Sequence, residues 1–348
     1  MNNLVRESGF VVKSIILSLF LLSALFAGVS IKSALATDLT IYTYESFNSE
    51  WGPGPIVFKI FEEQCGCKIN VVTPGDSGTV LNRVILEKAN PKADILLGLN
   101  NSELEKSFKF KLWIPYRSPL LKQISTDLLL DKKYRVTPFD YGFISFVYDS
   151  QKLNNPPQNL EDLLDPKYKR KIVIENPKTS SPGLSMLHWT IAVFGENGYL
   201  DYWKKIQKNL LSVTDGWSAA YGMFTKGEVP IVLSYVTSPA YHLEYENTER
   251  YKAALFENGH YRQIEFAGII KGTQKIKRAQ QFIDFMLSEN FQNAIPLTNW
   301  MYPVIQHRPL PDSFRIAPEP KSVNELSPSL VFKQNKKWLK AWSRVMSE

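Results

Sequence analysis

The chain is 348 residues long, 44% of its residues are hydrophobic and 22% are charged, and its formal net charge is +7. These values are ordinary for a globular protein, and the sequence contains no internal repeat. The positive excess is small for this length, and no block of Lys and Arg predicts binding to nucleic acid.

The first 36 residues are predicted to be a signal peptide that is cleaved and does not join the fold. Arg6 and Lys13 precede an apolar run over residues 15–29, which is short for a membrane span. Ala34 and Ala36 have the small-x-small spacing that signal peptidase recognises, so we expect cleavage after Ala36. An uncleaved N-terminal anchor is the alternative. We therefore expect a mature, monomeric protein in the periplasm, long enough for about two domains.

Short β-rich runs and segments with helical periodicity alternate from Leu39 onward. This alternation is typical of βαβ units and predicts an α/β fold of mainly parallel sheets flanked by helices. The predicted strands cover residues 39–44, 68–73, 93–99, 171–175 and 230–235, and the predicted helices cover 54–65, 79–90, 182–194 and 217–225.

Cys65 and Cys67 are the only cysteines, and a single glycine separates them. In an oxidising compartment this spacing favours a disulfide, because Gly66 lets the backbone turn far enough to bring the two side chains together. Free thiols are the main alternative. A metal site is disfavoured, because the four histidines are scattered and have no metal-ligand spacing to the cysteines.

Polar, aromatic or turn-forming residues follow the predicted strands, at positions 44–45, 74–77, 100–101, 176–181 and 234–238. In a parallel α/β sheet, ligands bind just beyond the carboxyl ends of the strands. Two of these segments place hydroxyl residues before a proline that begins a helix, Ser180-Ser181-Pro182 and Thr237-Ser238-Pro239. Helix capping alone explains one such motif, but two motifs directly after strands favour a phosphate site.

Three tryptophans are candidates for a binding site. Trp51, Trp217 and Trp300 stand beside turn or cap residues, where a ring can face a cleft and stack on a flat heterocycle or an organic cation. The other five have the spacing of core residues. No nucleophile elbow, phosphate loop or dinucleotide fingerprint is present, so we predict a binding protein without catalytic residues and not an enzyme.

Several segments together resemble the periplasmic thiamine-binding proteins of bacterial ABC transporters, which are extracellular solute-binding proteins. The resemblance covers nearly the whole mature chain in order and is carried by IYTYESF (41–47), WGPGP (51–55), PFDYG (138–142), TSSPGL (179–184), GWS (216–218), LSYVTSPAY (233–241), QNAIP (292–296) and NWMYP (299–303).

The resemblance implies a two-lobed clamp that holds its ligand in the cleft between two α/β lobes. We expect residues 37–138 and 256–305 to form lobe 1, and residues 139–255 and 306–348 to form lobe 2. A helix over 274–294 would belong to the first lobe, and an amphipathic helix over 327–346 to the second. An inner-membrane ABC permease with its ATPase is the implied partner.

The implied ligand is thiamine, thiamine monophosphate or thiamine diphosphate, with no resident cofactor. Aromatic faces would stack on its rings, Asp76 would face the cationic thiazolium, and serine and threonine hydroxyls would receive the phosphates. The family has Asp-Gly at this point, whereas this chain has Asp76 followed by Ser77 and Gly78. The binding residues carried over are Tyr44, Trp51, Asp76, Ser77, Ser180, Ser181, Trp217, Tyr235, Thr237, Ser238, Tyr241 and Trp300.

Other ligands are compatible with the same fold. Ferric-binding relatives use adjacent tyrosines, whereas Tyr235 is followed by Val236 here. Polyamine-binding relatives need several carboxylates in the cleft, and the predicted strand ends offer few. An enzyme acting on thiamine phosphates is the alternative from a different functional class.

Overall fold

The structure of the protein is a computed structural model that describes residues 38–347, so the predicted signal peptide lies outside the described residues. The strands are β1 (Leu39–Tyr42), β2 (Ile69–Val72), β3 (Ile95–Asn100), β4 (Trp113–Ile114), β5 (Thr137–Asp149), β6 (Ile172–Glu175), β7 (Leu210–Thr214), β8 (Ile231–Tyr235), β9 (Tyr251–Ala253), β10 (His260–Ile270), β11 (Tyr302–Pro303) and β12 (Val323–Asn324). The helices are α1 (Gly54–Cys65), α2 (Ser77–Leu86), α3 (Leu104–Lys109), α4 (Ser181–Ile206), α5 (Trp217–Thr225), α6 (Pro239–Glu246), α7 (Ile276–Met286), α8 (Glu289–Gln292), α9 (Ile295–Thr298) and α10 (Pro328–Ser347).

The strands form one curled, mixed sheet, and eight of them follow the order β2-β1-β3-β10-β5-β8-β6-β7. Of the other four, β4 and β12 pair with β10, and β9 and β11 pair with β5. At one end β1 pairs in parallel with β2 and β3, and at the other β6 pairs in parallel with β7 and β8. The two long strands in the middle, β5 and β10, pair antiparallel with each other and with their outer neighbours. The α/β fold class is confirmed, whereas the antiparallel centre was not predicted.

The two largest hydrophobic cores among the described residues lie along this sheet, and β5 and β10 contribute residues to both. Two smaller clusters contain Val232 and Phe143, respectively. On β5, Phe139 packs in the first core and Ile144 in the second. On β10, Tyr261 packs in the second core and Ile264 in the first. Each long strand therefore links the two cores by continuous backbone, while the lobe boundaries given above stay predictions.

The bounds of some predicted helices agree with the structure, and those of others do not. α1 and α5 have the predicted bounds. The helix predicted over 182–194 instead continues to Ile206, across an interruption where Gly195 has a φ of 69°. The prediction of a single helix over 274–294 is wrong, because the backbone of Ser288 is extended and separates α7 from α8. Within residues 38–347, no helix combines the length and the apolar character that a membrane crossing requires.

Cys65 and Cys67 form the expected disulfide at the end of α1. Between them, Gly66 adopts a left-handed conformation with a φ of 57°, and its backbone N–H donates to the Glu62 carbonyl. A glycine suits this position because it reaches positive φ without a steric penalty from a β-carbon.

Replacing both cysteines with serine should lower the free energy of unfolding by only about 1–2 kcal/mol. The disulfide closes a very short loop, so it removes little conformational entropy from the unfolded chain. Urea denaturation of both proteins under non-reducing conditions measures the difference. A loss above about 4 kcal/mol, in the range of long-loop disulfides, would show that the bridge holds more than the end of α1.

Candidate functional site

A pocket of about 320 Å³ lies where several strands end and helices begin. This volume suits a small organic ligand. Most of the predicted binding residues line it, namely Tyr44, Trp51, Asp76, Ser181, Trp217, Tyr235, Ser238, Tyr241 and Trp300. The lining also includes residues that the sequence analysis did not name as binding residues, namely Ser46, Pro182, Ser218, Tyr221, Gly222, Thr225, Glu265, Asn299 and Met301.

The βαβ connections explain why distant segments meet here. Asp76 lies between β2 and α2, Ser181 begins α4 after β6, and Trp217 begins α5 after β7. Tyr235 is the last residue of β8. The carboxyl ends of parallel strands, where these residues lie, are the expected binding edge of an α/β sheet.

The Asp76 carboxylate is held between two helix starts. One oxygen, Oδ1, accepts a hydrogen bond from the Ser77 N–H at 2.7 Å, and Oδ2 accepts one from the Trp217 N–H at 3.4 Å. Burial raises the pKa of Asp76, while the nearby Ser180 hydroxyl and these two N–H groups lower it. Among the described residues that line the pocket, none is Lys or Arg. The negative charge of Asp76 is therefore available to a cationic ligand.

A second carboxyl group, that of Glu265, enters the pocket from the middle of β10. The Tyr44 hydroxyl donates to its Oε2 at 2.7 Å, and Asn299 Nδ2 donates to the Tyr44 oxygen at 3.0 Å and to Asp140 Oδ2 at 2.6 Å. Burial raises the pKa of Glu265 to about 7, and burial together with the charge of Glu265 raises the pKa of Asp140 well above its usual range. Glu265 is therefore a second acidic group in the pocket lining beside Asp76, and Asp140 lies behind the lining.

These additional acidic groups were not predicted because they come from the long central strands. Carboxylates of the binding site were expected only at strand ends, whereas Asp140 lies within β5 and Glu265 within β10. Asn299 had a detectable signal, since it directly precedes Trp300 in a segment that carried the resemblance. Within residues 38–347, no three His, Cys, Asp or Glu side chains are grouped as metal ligands.

Trp217 lines the pocket, and its indole ring is held in place by neighbouring side chains. Its ring stacks on Tyr221, with ring centroids 4.7 Å apart and an interplanar angle of 18°. Trp51 lies 5.9 Å away, and the Trp217 Nε1–H donates to Ser234 Oγ at 2.8 Å. These contacts fix the position of the indole, so little ordering is needed when a ligand stacks on it.

Trp300 is held in an unfavourable backbone conformation, with a φ of 55°. The Thr237 hydroxyl donates to its carbonyl oxygen, and the ring packs edge-on against Tyr241 at 5.4 Å and lies over Phe314. A bulky residue at positive φ persists only where its surroundings fix it, and such residues cluster at binding sites.

Tyr44 reaches the pocket because residue 98 of β3 is glycine. A β-carbon at Gly98 would lie 2.3 Å from the Tyr44 ring, and the φ of Gly98 is +99°. Any larger residue would displace the ring and break its hydrogen bond to Glu265.

Three predicted binding residues lie behind the lining. The Ser77 hydroxyl accepts a hydrogen bond from Asn100 at 3.4 Å. The Thr237 hydroxyl donates a hydrogen bond to the Trp300 carbonyl oxygen and so helps to fix Trp300. Ser180 is the N-cap residue of α4, and its buried hydroxyl makes neither a capping hydrogen bond nor another one among the described residues. Ser181 and Ser238 remain among the lining residues, and Ser238 Oγ also accepts from the Tyr235 N–H at 3.3 Å and hydrogen-bonds to Ser234 Oγ at 2.7 Å.

The chain is similar to known proteins over most of its length. The profile of the bacterial extracellular solute-binding proteins matches residues 90–324. A thiamine-binding periplasmic protein of Salmonella typhimurium is 42% identical over 89% of this chain and 93% of its own, and one of Brucella abortus is 43% identical over 93% of this chain and 97% of its own. A solved periplasmic thiamin binding protein shares 40% identity, with a TM-score of 0.84, over 91% of this chain and 98% of its own.

Proposed function

We propose that this chain, which belongs to the bacterial extracellular solute-binding proteins, captures thiamine in the periplasm and delivers it to an inner-membrane ABC permease. The observation that carries the proposal is a pocket in which the half-buried Asp76 carboxylate adjoins aromatic rings without a lining cation among the described residues. Thiamine joins a permanently cationic thiazolium to a flat aminopyrimidine, so the carboxylate and the ring faces match its two parts. The thiamine-binding relatives support the same ligand.

Native mass spectrometry of freshly purified, exported protein tests the proposal, because tight binding proteins retain their ligand during purification. We expect an added mass equal to thiamine or one of its phosphate esters. An added mass equal to a polyamine would contradict the proposal. We also expect incubation with thiamine diphosphate to yield no product, since the proposed role is binding and not turnover.

Thiamine monophosphate and diphosphate are the second candidate ligands. Ser181 begins α4, Ser218 lies in the first turn of α5 and Ser238 directly precedes α6, and all three face the pocket. Hydroxyls and free backbone N–H groups at helix starts stabilise phosphate oxygens without Lys or Arg.

Ser181→Ala should weaken binding of thiamine diphosphate by about 1.5–3 kcal/mol and leave thiamine nearly unaffected, because only the ester loses a hydrogen bond to a charged oxygen. Calorimetric titration of both ligands measures this. Ser180→Ala is the matched control at the adjacent position behind the lining, and it should leave the ratio of the two affinities unchanged. Equal losses for both ligands in Ser181→Ala would contradict a phosphate contact.

Thiamine affinity should rise between roughly pH 6 and pH 8, because carboxyl groups with raised pKa values lose their protons in that range. Burial raises the pKa of Glu265 to about 7, so the group is mostly neutral below this pH and attracts the thiazolium only above it. By linkage, binding near neutral pH should release protons, which titrations in buffers of different ionisation enthalpy detect. Glu265→Gln should flatten the profile, and Glu63→Gln, which is exposed, should not. A pH-independent affinity would contradict this assignment.

A further inference from the structure

The C-terminal helix α10 is amphipathic, with all of its charge of one sign. Its apolar stripe, formed by Val331, Trp338, Trp342 and Val345, is buried in the second core. The helix carries five basic side chains and no acidic one. The basic residues, all exposed, are Lys333, Lys336, Lys337, Lys340 and Arg344.

Helical periodicity gathers these five side chains on one face. At 3.6 residues per turn they fall within an arc of about 100°, directly opposite the buried stripe. Among residues 38–347, Lys337 alone of the five has an ion-pair partner, with its Nζ 3.4 Å from Glu196 Oε2. We call these five residues the basic face.

The charge continues beyond α10 at its C-terminal end. Gln207 donates a hydrogen bond to the Val345 carbonyl, so the end of α4 lies beside the end of α10. That stretch of chain carries the exposed side chains of Lys204, Lys205 and Lys208. α10 and residues 204–208 together carry eight exposed basic side chains, against the two exposed acidic side chains of α4, Glu196 and Asp201.

We infer that the basic face adsorbs reversibly to the anionic phospholipid headgroups of the membrane on which the permease resides. Four of its five residues are lysines, which are depleted at protein–protein interfaces but act as effective point charges near anionic lipid. Phe332, 41% exposed at the edge of the face, adds an aromatic ring of the kind found on membrane-surface helices. Adsorption would hold the protein close to the permease. The inference goes beyond the proposed function and does not depend on which ligand is bound.

Sedimentation with lipid vesicles tests the inference. The full mature protein should bind vesicles of mixed phosphatidylglycerol and phosphatidylcholine at low salt, should not bind phosphatidylcholine alone, and should dissociate as salt screens the charges. A triple variant should bind the vesicles more weakly, namely Lys333→Gln, Lys336→Gln, Lys340→Gln. Its partition coefficient should fall about fivefold for each lysine removed, and roughly a hundredfold in all. Its thiamine affinity should be unchanged, which separates this inference from the proposed function.

A matched variant controls for net charge. The control triple variant removes the same charge from exposed positions outside α10, by Lys59→Gln, Lys122→Gln and Lys132→Gln. Its vesicle binding should stay within a few fold of that of the wild-type protein. Equal losses in both triple variants, or no binding of the wild-type protein to phosphatidylglycerol, would overturn the inference. If the protein bound only to phosphatidylcholine vesicles that carry the permease, the basic face would contact a protein partner, and the inference would also be overturned.

Discussion

Asp76→Asn should weaken thiamine binding by about 2–5 kcal/mol, or roughly 30- to 5,000-fold in Kd. The carboxylate is half-buried beside the aromatic rings, and no Lys or Arg among the described lining residues can neutralise it. When the thiazolium is bound, removing the opposite charge leaves a desolvated cation without its partner, which is the costly case for a buried charge pair. Calorimetric titration of wild-type and variant protein measures the change.

The substitution is well suited to this test because asparagine caps helices as well as aspartate does. The amide oxygen of the variant would therefore keep the bond from the Ser77 N–H and the start of α2, whereas its Nδ2 cannot accept the Trp217 N–H that Asp76 Oδ2 accepts. Burial raises the pKa of Asp76, so the ionised group is less favourable in the folded chain than in the unfolded one. The two effects oppose each other, so at neutral pH the free energy of unfolding of the unliganded variant should lie within about 1–2 kcal/mol of that of the wild type.

Asp165→Asn is the matched control, because Asp165 also precedes a helical turn and accepts from the Lys167 N–H at 2.9 Å, but it lies outside the pocket lining. It should leave thiamine affinity unchanged. If Asp76→Asn bound thiamine as tightly as the wild type, with an intact fold, the thiazolium would not be held by this carboxylate.

Trp217→Ala should weaken thiamine binding by about 1–3 kcal/mol through the loss of buried area and of a cation–π contact. The ring is already stacked on Tyr221 and anchored to Ser234, so its position is set before the ligand arrives. Thiamine should also quench the tryptophan fluorescence of the wild-type protein, and the variant should lose much of that quenching.

Phe332→Ala provides the comparison for the loss of an aromatic ring, since Phe332 is partly exposed on α10 and does not line the pocket. Its thiamine affinity should equal that of the wild type. Unchanged affinity in Trp217→Ala, with a native circular dichroism spectrum, would contradict a stacking role for Trp217.

Local sequence signals were sufficient to predict much of the pocket. The segments around Asp76, Ser181 and Trp217 each follow a strand and begin a helix, so a short stretch of sequence determines both the element and its position at the binding edge. α1 and α5 were predicted with their observed bounds for the same reason. The disulfide followed from the spacing of two cysteines around a glycine.

The remainder of the site depends on pairing between distant segments. Glu265 faces the pocket because β10 pairs antiparallel with both β3 and β5, and no local pattern encodes that register. Thr237 lies in a motif typical of a helix cap, yet its hydroxyl holds Trp300, which is 63 residues away. Such contacts depend on the tertiary fold, which local propensity does not determine.

Calorimetric titration of ligand-free protein with thiamine measures whether the pocket binds this ligand. The protein is unfolded in denaturant, dialysed to remove retained ligand and refolded, with circular dichroism to verify the fold. We expect saturable binding of one thiamine per chain, with spermidine and ferric citrate giving no comparable heat. Refolded protein that binds spermidine more tightly than thiamine, or that shows no saturable binding of thiamine, would rule out the proposed function.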